Sequence, residues 1–369
     1  MAGITDVARK AGVSRTTVSH VFSGKRPVAP ATRERVIEAA RALQYIPDSA
    51  ARGLATGRSM TLGLVLPTFD DPAVLNPTWL KVLEGLSSAA AAAGYGFLIA
   101  SAKDARPAKG ASGMRKRSTF DGIIVLDPIA RNRLIPQLSR MQIPVVTVGR
   151  YLGRPNVPWV DADIAAGTRR VLKHLRAEGF ERPALLSVDL EIAFVRDLES
   201  AFVDTLARQG CDPVIVRAAD LSEVEAYEKA TQLLSAWPDA ADAVVTASDR
   251  QAMGVLRAAR RLGLRVPADL GIAGQGDTVI ARNTRPALTS VHARPKDVGA
   301  AAVRMLLELI SGHVIDSVKT PVDLAIREST RRSAAASQSA TGLVRSKQPT
   351  KTANQPKRQA GAVTRKGGS

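Results

Sequence analysis

Ala11-Gly12-Val13-Ser14-Arg15-Thr16-Thr17-Val18-Ser19 decides how the first part of the chain is read. Gly12 supplies the positive φ that a tight turn between two helices needs. Ser14 is a strong N-cap for whatever helix follows. Upstream, Ile4, Val7, Ala8 and Ala11 fall at i, i+3, i+4 and i+7, one face of a helix that Thr5 is placed to cap. Downstream, a helix over about 15–22 turns Val18, Val21 and Phe22 inward and leaves Arg15, Thr16, Ser19 and His20 outside. A third helix is expected from about Pro30 to Leu43. Proline suits its first turn, and Val36, Ile37, Ala40 and Leu43 form its buried stripe.

Two short helices, a glycine turn and a third helix within the first 45 residues make a helix-turn-helix. Such a unit lays its second helix in the major groove of double-stranded DNA, N-terminal residues foremost. Arg15 suits a bidentate contact with guanine, and the methyl groups of Thr16 and Thr17 suit thymine. The same spacing also fits an ordinary small helical bundle, and the residues alone leave both readings open.

Charge narrows the choice. Residues 1–58 hold ten Lys/Arg against four Asp/Glu, and residues 331–369 hold nine against none. The stretch 59–330 is close to neutral, with 33 against 30. Basic ends around a neutral body are the footprint of a nucleic-acid binder, because positive charge displaces counterions from phosphates; solubility is the alternative for the tail. The single cysteine, Cys211, excludes an internal disulfide, and four scattered histidines show no metal-ligand spacing. No cofactor is expected. Neither a signal peptide nor a membrane-length apolar run is read, so a cytoplasmic protein with no membrane association is expected.

The run Ile4–Ala8, the stretch quoted above, Gly24-Lys25, Thr32–Val36 and Tyr45-Ile46-Pro47 together resemble the LacI/GalR (lactose repressor) family headpiece, and Ala50–Gly57 resembles its hinge helix. The match is ungapped over nearly sixty residues. The resemblance implies that Arg15 and Thr16 read bases, with Thr5, Ser14, Thr17, Ser19, His20 and Ser23 at the same interface. His20 stands where the pattern often has Arg, and Ser23 where Asn is common. Leu54 would be a minor-groove wedge that kinks the duplex. Six to eight residues including Gly53 are too few for a stable isolated helix, so Ala50–Ala55 is expected to order only when two copies pair on DNA.

Beyond Ser59 the pattern changes to continuous apolar runs: Leu62–Leu66, Phe97–Ala100, Gly122–Leu126, Pro144–Val148, Ala184–Val188, Ala243–Thr246 and Leu270–Ala273. Such runs suit parallel strands buried on both faces. Helices over Leu80–Ala93, Ala165–Glu178, Leu198–Gln209 and Arg250–Leu262 alternate with them, giving βαβ units. The expected architecture is an all-α helix-turn-helix headpiece (1–45), a hinge (46–59), and an α/β core of two lobes with parallel sheets (60–330). Lobe one spans about 60–160 plus 292–318, and lobe two about 161–291 plus 319–330. The basic tail, 331–369, has too few apolar residues to fold and is expected to be disordered. Residues 103–119, with Pro107, two glycines and six basic residues, are expected to form a short or frayed helix in a basic loop.

Thr61–Val65, Asn76-Pro77, Asp121–Ile124, Ser248-Asp249, Gly263–Pro267 and Leu288–Val291 extend the resemblance over a periplasmic-binding-protein-like core. That core implies a small-molecule effector in the cleft between lobes and a homodimer. Its pocket departs from the usual sugar or purine pattern. The family's ligand-clamping Arg becomes Leu198, two polar positions become Ile192 and Phe194, and an aromatic followed by Asp becomes Gln275-Gly276. Losing hydrogen-bonding groups removes selectivity for polar ligands, so an effector less polar than a simple sugar is expected. Candidate effector residues are Phe69, Asp70, Trp79, Arg150, Phe194, Ser248, Asp249 and Gln275; for each, packing or capping is the competing role, and Asp249 could cap a helix beginning at Arg250. No phosphate loop, nucleophile elbow or carboxylate pair suggests an enzyme. The expected function is a DNA-binding repressor under small-molecule control. The alternative is a constitutive regulator whose core only dimerises.

Overall fold

The computed structural model describes residues 2–23, 26–45, 58–66, 77–101, 120–236, 239 and 241–332, with the side chains of Ser23, Ala100 and Ser101 excepted. Residues 46–57 of the hinge, the 103–119 stretch and the tail beyond Arg332 lie outside the described residues.

In the headpiece, α1 spans Ile4–Ala11, α2 Arg15–Ser23 and α3 Pro30–Ala42. Thr5 does not cap α1. Gly3 does, its amide donating to Asp6 Oδ2 at 2.9 Å while Thr5 lies exposed inside the first turn. An acid three residues on outcompetes a threonine one residue too late. Gly12 takes φ +66° and ends α1. Ser14 Oγ accepts from the Thr17 amide at 3.0 Å and starts α2. Val7, Val18 and Val36, one from each helix and all fully buried, form the centre of a small core with Ala8, Ala11, Val21, Ala39 and Ala40.

Lobe one is a six-stranded sheet built from β1 (Thr61–Leu66), β2 (Gly96–Ser101), β3 (Gly122–Leu126), β4 (Val145–Val148), β5 (Trp159–Ala162) and β11 (Val318–Thr320). Its order is β11-β5-β4-β3-β1-β2, with every pairing parallel. Strand β3 is buried along its whole length, which explains its unbroken apolar run. Helices α4 (Pro77–Ala92), α5 (Leu134–Arg140) and α11 (Pro295–Ile310) cover the sheet. Helices α4 and α11 meet through glycines. A Cβ on Gly85 would stand 2.1 Å from the Lys296 carbonyl, and one on Gly299 2.2 Å from that of Val82. Nothing larger fits where the two backbones touch.

Lobe two comprises β6 (Pro183–Val188), β7 (Val214–Ala218), β8 (Ala243–Thr246), β9 (Gly271–Gln275), β10 (Thr289–His292) and β12 (Asp323–Ala325). The order is β12-β10-β9-β8-β6-β7, parallel except for β12 against β10. Helices α6 (Ile164–Ala177), α7 (Ala193–Ala207), α8 (Glu223–Leu234), α9 (Asp249–Arg261) and the short α10 (Val279–Asn283) complete it. The chain crosses between lobes three times: after β5, after β10, and between β11 and β12. The expected changes of lobe at 160 and 318 fall inside β5 and β11, both of which finish in the lobe-one sheet. Helix α7 begins five residues ahead of the expected Leu198, because Ile192 caps it without a side-chain hydrogen bond and leaves no start signal. Strands β7, β11 and β12 lie at sheet edges and carry exposed or half-exposed positions, so they lack a continuous apolar run.

Two anchors bound the core. The amides of Ser59 and Met60 donate to the two carboxylate oxygens of Asp121 at 2.6 and 3.0 Å, fixing where the linker enters β1. At the other end Arg332 lies 3.8 Å over the Phe180 ring, and its amide bonds Glu178 at 3.0 Å.

Candidate DNA-reading face and interlobe cleft

The period of α2 puts Val18 and Val21 into the headpiece core and therefore points the opposite stripe at solvent. Arg15 and Thr16 are exposed, and Arg15 makes no hydrogen bond or ion pair among the described residues. Ser19 and His20 are half-exposed one turn further on. The hydroxyls of Ser14 and Thr17 bond each other at 2.9 Å, so both are partly engaged in starting the helix. Thr5 lies exposed on α1. The face offers one unengaged guanidinium beside small hydroxyl side chains, which suits phosphates and base edges. Leu54 lies outside the described residues, as does the side chain of Ser23.

The second candidate site is the cleft at the carboxyl ends of both sheets, where open α/β folds bind ligands. A small recess of about 10 Å³, open at its mouth, is lined by Pro77 of lobe one and by Leu221, Ser248, Asp249, Arg250, Gln275, Thr278 and Ile280 of lobe two. Three of the expected residues, Ser248, Asp249 and Gln275, thus stand together. Ser248 is the cap of α9, accepting the Gln251 amide at 3.1 Å. Asp249 is the first residue of that helix and does not cap it. Its Oδ1 accepts from Ser290 Oγ at 2.6 Å, and its Oδ2 from the Thr278 amide and hydroxyl at 2.7 and 2.8 Å. Burial raises the Asp249 carboxyl to about 6, against the pull of the bonds from Ser290 and Thr278. This carboxylate holds the Gln275–Thr278 turn to α9. Gln275 is 5% exposed, and its amide nitrogen has no hydrogen-bond partner.

The other candidates stand on different walls. Trp79, in the first turn of α4, donates its Nε1 to Asp127 Oδ2 at 2.9 Å. Burial lifts Asp127 to about 6, although the indole N–H favours its charged form. Asp161 on β5 is raised to about 7, first by burial and then by the nearby Asp127. Arg150, just past β4, pairs with Asp197 of α7 across the lobes, and Lys319 lies 3.5 Å from the same carboxylate. Arg131 reaches Glu191 at 3.6 Å, and the Ala130 amide bonds the Glu191 carbonyl at 3.1 Å. Phe194 packs half-buried on the lobe-two core, and Leu198 lies fully inside it. Phe69 and Asp70 fall outside the described residues. The sequence reading missed Asp127, Asp161 and Asp197. Asp127 follows a strand that was recognised, so its place at a carboxyl end was available; the other two sit on elements whose starts were not recognised. Among the described residues no three His, Cys, Asp or Glu are grouped to hold a metal, and no helix is long and apolar enough to cross a membrane.

Comparison with known proteins gives two family matches. Residues 3–48 match the bacterial regulatory proteins of the lacI family, and residues 172–330 a periplasmic binding protein-like domain. The chain is 31% identical over 330 residues to the HTH-type transcriptional regulator CelR of Thermobifida fusca, covering 88% of this chain and 96% of that one. It is 30% identical to the HTH-type transcriptional repressor PurR of Erwinia tasmaniensis, over 84% of this chain and 91% of that one. Among solved structures, a lac repressor dimer bound to operator and the anti-inducer ONPF superposes with a TM-score of 0.71 at 25% identity, covering 90% and 99% of the two chains. A CelR–cellobiose complex does so at 0.66 and 27%, covering 89% and 100%.

Proposed function

Because the chain belongs to the LacI family of bacterial regulatory proteins, whose members compared above regulate transcription, we propose that it is a repressor that binds a pseudo-palindromic operator as a homodimer. The observation that carries this reading is the second helix of the headpiece, with Arg15 and Thr16 exposed at its N-terminal turn on a core that buries Val18 and Val21. Arg15 pairs with guanine, Thr16 and Thr17 contact thymine, and Thr5, Ser14, Ser19, His20 and Ser23 fix the register on the backbone. Leu54 of each copy enters the minor groove at the centre of the site. The dimer forms along the edge of lobe one, where β2 is the last strand among the described residues and leaves Leu98 and Ile99, on its two faces, 46% and 57% exposed, with Leu80 of the covering helix α4 at 64%. An edge strand with adjacent apolar side chains offers itself to a second copy.

An effector in the interlobe cleft changes the angle between lobes and with it the separation of the two linkers. A second reading has its own support. The ion pairs Arg150–Asp197, Lys319–Asp197 and Arg131–Glu191 span the two lobes within the chain itself, which favours a constitutive regulator. The test is selection of a binding sequence from a random duplex library, followed by affinity measurement with Arg15→Ala and Leu54→Ala. The reading expects an inverted-repeat consensus and a loss confined to that sequence; an equal loss on all DNA would overturn it.

A further inference from the structure

Helix α6 of lobe two presents Arg169, Lys173 and Arg176 at i, i+4 and i+7, one face of the helix. All three are exposed, and none makes a hydrogen bond or ion pair among the described residues. Arg170, off that stripe, is taken by the Val322 carbonyl. Other exposed arginines of lobe two are paired: Arg217 with Glu199, Arg265 with Asp269 and Arg282 with Asp277. A surface charged only for solubility mixes both signs, whereas this stripe carries one sign. The core also ends here. His174 of α6 bonds Thr330 at 2.7 Å, and the Arg332 guanidinium bonds the Gly179 carbonyl at 2.7 Å, with exposed Arg331 between the two anchors. The 37 residues that follow hold seven Lys/Arg and no Asp/Glu, so the charge of the stripe continues into the tail.

The topology sets this surface apart from the headpiece. The carboxyl ends of both sheets face the cleft, so their amino ends point away from each other. The linker joins the amino end of β1, and α6 runs back to finish beside the amino end of β6. Two strands of six residues put at least about 40 Å between those points. A random coil of 37 residues spans about 30–36 Å, less than that separation. Going beyond the repressor reading, we propose that the α6 stripe and the tail form a second, sequence-independent surface for duplex DNA, which holds a segment other than the operator under the headpieces, so that one molecule bridges two segments. Exposed point charges with no groove-fitting unit recognise phosphates and not bases.

The experiment is a capture assay. Full-length protein is loaded on immobilised selected operator, unbound protein is washed away, and a fluorescent non-operator duplex is added at about 50 and about 200 mM salt. The proposal expects the second duplex to be retained at the lower salt and released at the higher. Truncation after Arg332, and the triple variant Arg169→Gln, Lys173→Gln, Arg176→Gln, should each reduce retention by about 10- to 100-fold. Operator affinity and the melting temperature should stay as in the parent protein, which reports that both variants are folded and that their headpieces still read DNA. Absence of a retained duplex, retention that survives either change, or stronger retention of single-stranded RNA than of duplex overturns the proposal. So does an equal fall in operator affinity, which would put the tail on the operator itself. Arg15→Ala separates this surface from the repressor reading, since it should remove the operator preference and leave the response of non-operator binding to both variants intact.

Discussion

The headpiece and the cleft use polar side chains in opposite ways. On α2 the outward residues are held by nothing but the helix beneath them, and Arg15 is unengaged among the described residues. In the cleft nearly every polar group is already bonded to another part of the chain, across 29 residues between Asp249 and Thr278 and 47 between Arg150 and Asp197. A surface that reads a long external polymer needs free donors on a rigid support. A cleft whose polar groups bond within the chain leaves few of them for anything else.

That contrast can be broken most decisively at the dimer edge. Ile99→Asp should give a monomer in sedimentation and weaken operator binding by roughly 100- to 10,000-fold, since the two headpieces lose their shared scaffold. A fully dimeric variant would move the interface elsewhere. Arg15→Ala should weaken the selected operator by about 1–3 kcal/mol and leave random DNA and the melting temperature unchanged. A fall in stability would mean that the headpiece face is tied down as the cleft is. Gly85→Ala should do the reverse, lowering core stability by about 1–3 kcal/mol because its methyl meets the Lys296 backbone, with the isolated headpiece's DNA contacts untouched.

The smallest effect is a pH effect. Asp127, Asp161 and Asp249 are all held above the usual carboxylate range by burial, at about 6, 7 and 6. Folding therefore takes up protons between about pH 4 and 7, and their stabilisation is full at the acid end and lost as pH rises through the folded values. His174, lowered by burial, opposes this below its ordinary value. Asp161→Asn should raise the melting temperature at pH 8 by roughly 2–4 °C, the scale of about 1 kcal/mol, and make little difference at pH 5. An equal change at both pH values would show that ionisation of Asp161 is not the cause.

How much could be read beforehand follows the same division. Helical spacing placed Val7, Val18 and Val36 inside and Arg15 outside, because one helix's period fixes both faces at once. Uninterrupted apolar runs located β1, β3 and β6 for a similarly local reason. Edge strands such as β7 were not legible, since half their residues face solvent. The roles of Asp161, Asp197 and Asp249 were not legible at all, because each is set by a partner far away in sequence. The cap role considered for Asp249 was the local alternative, and a distant bond to Ser290 displaced it.

Strand β3 joins two of these features end to end. Asp127 leaves its carboxyl end bonded to Trp79, and Asp121 precedes its amino end gripping the amides of Ser59 and Met60. Five fully buried residues between β1 and β4, about 17 Å of extended chain, separate the cleft from the root of the linker. In mechanical terms β3 is a stiff rod with a clamp at each end. One buried strand thus ties Trp79 of α4 and the entry of the chain into β1 to the same piece of backbone.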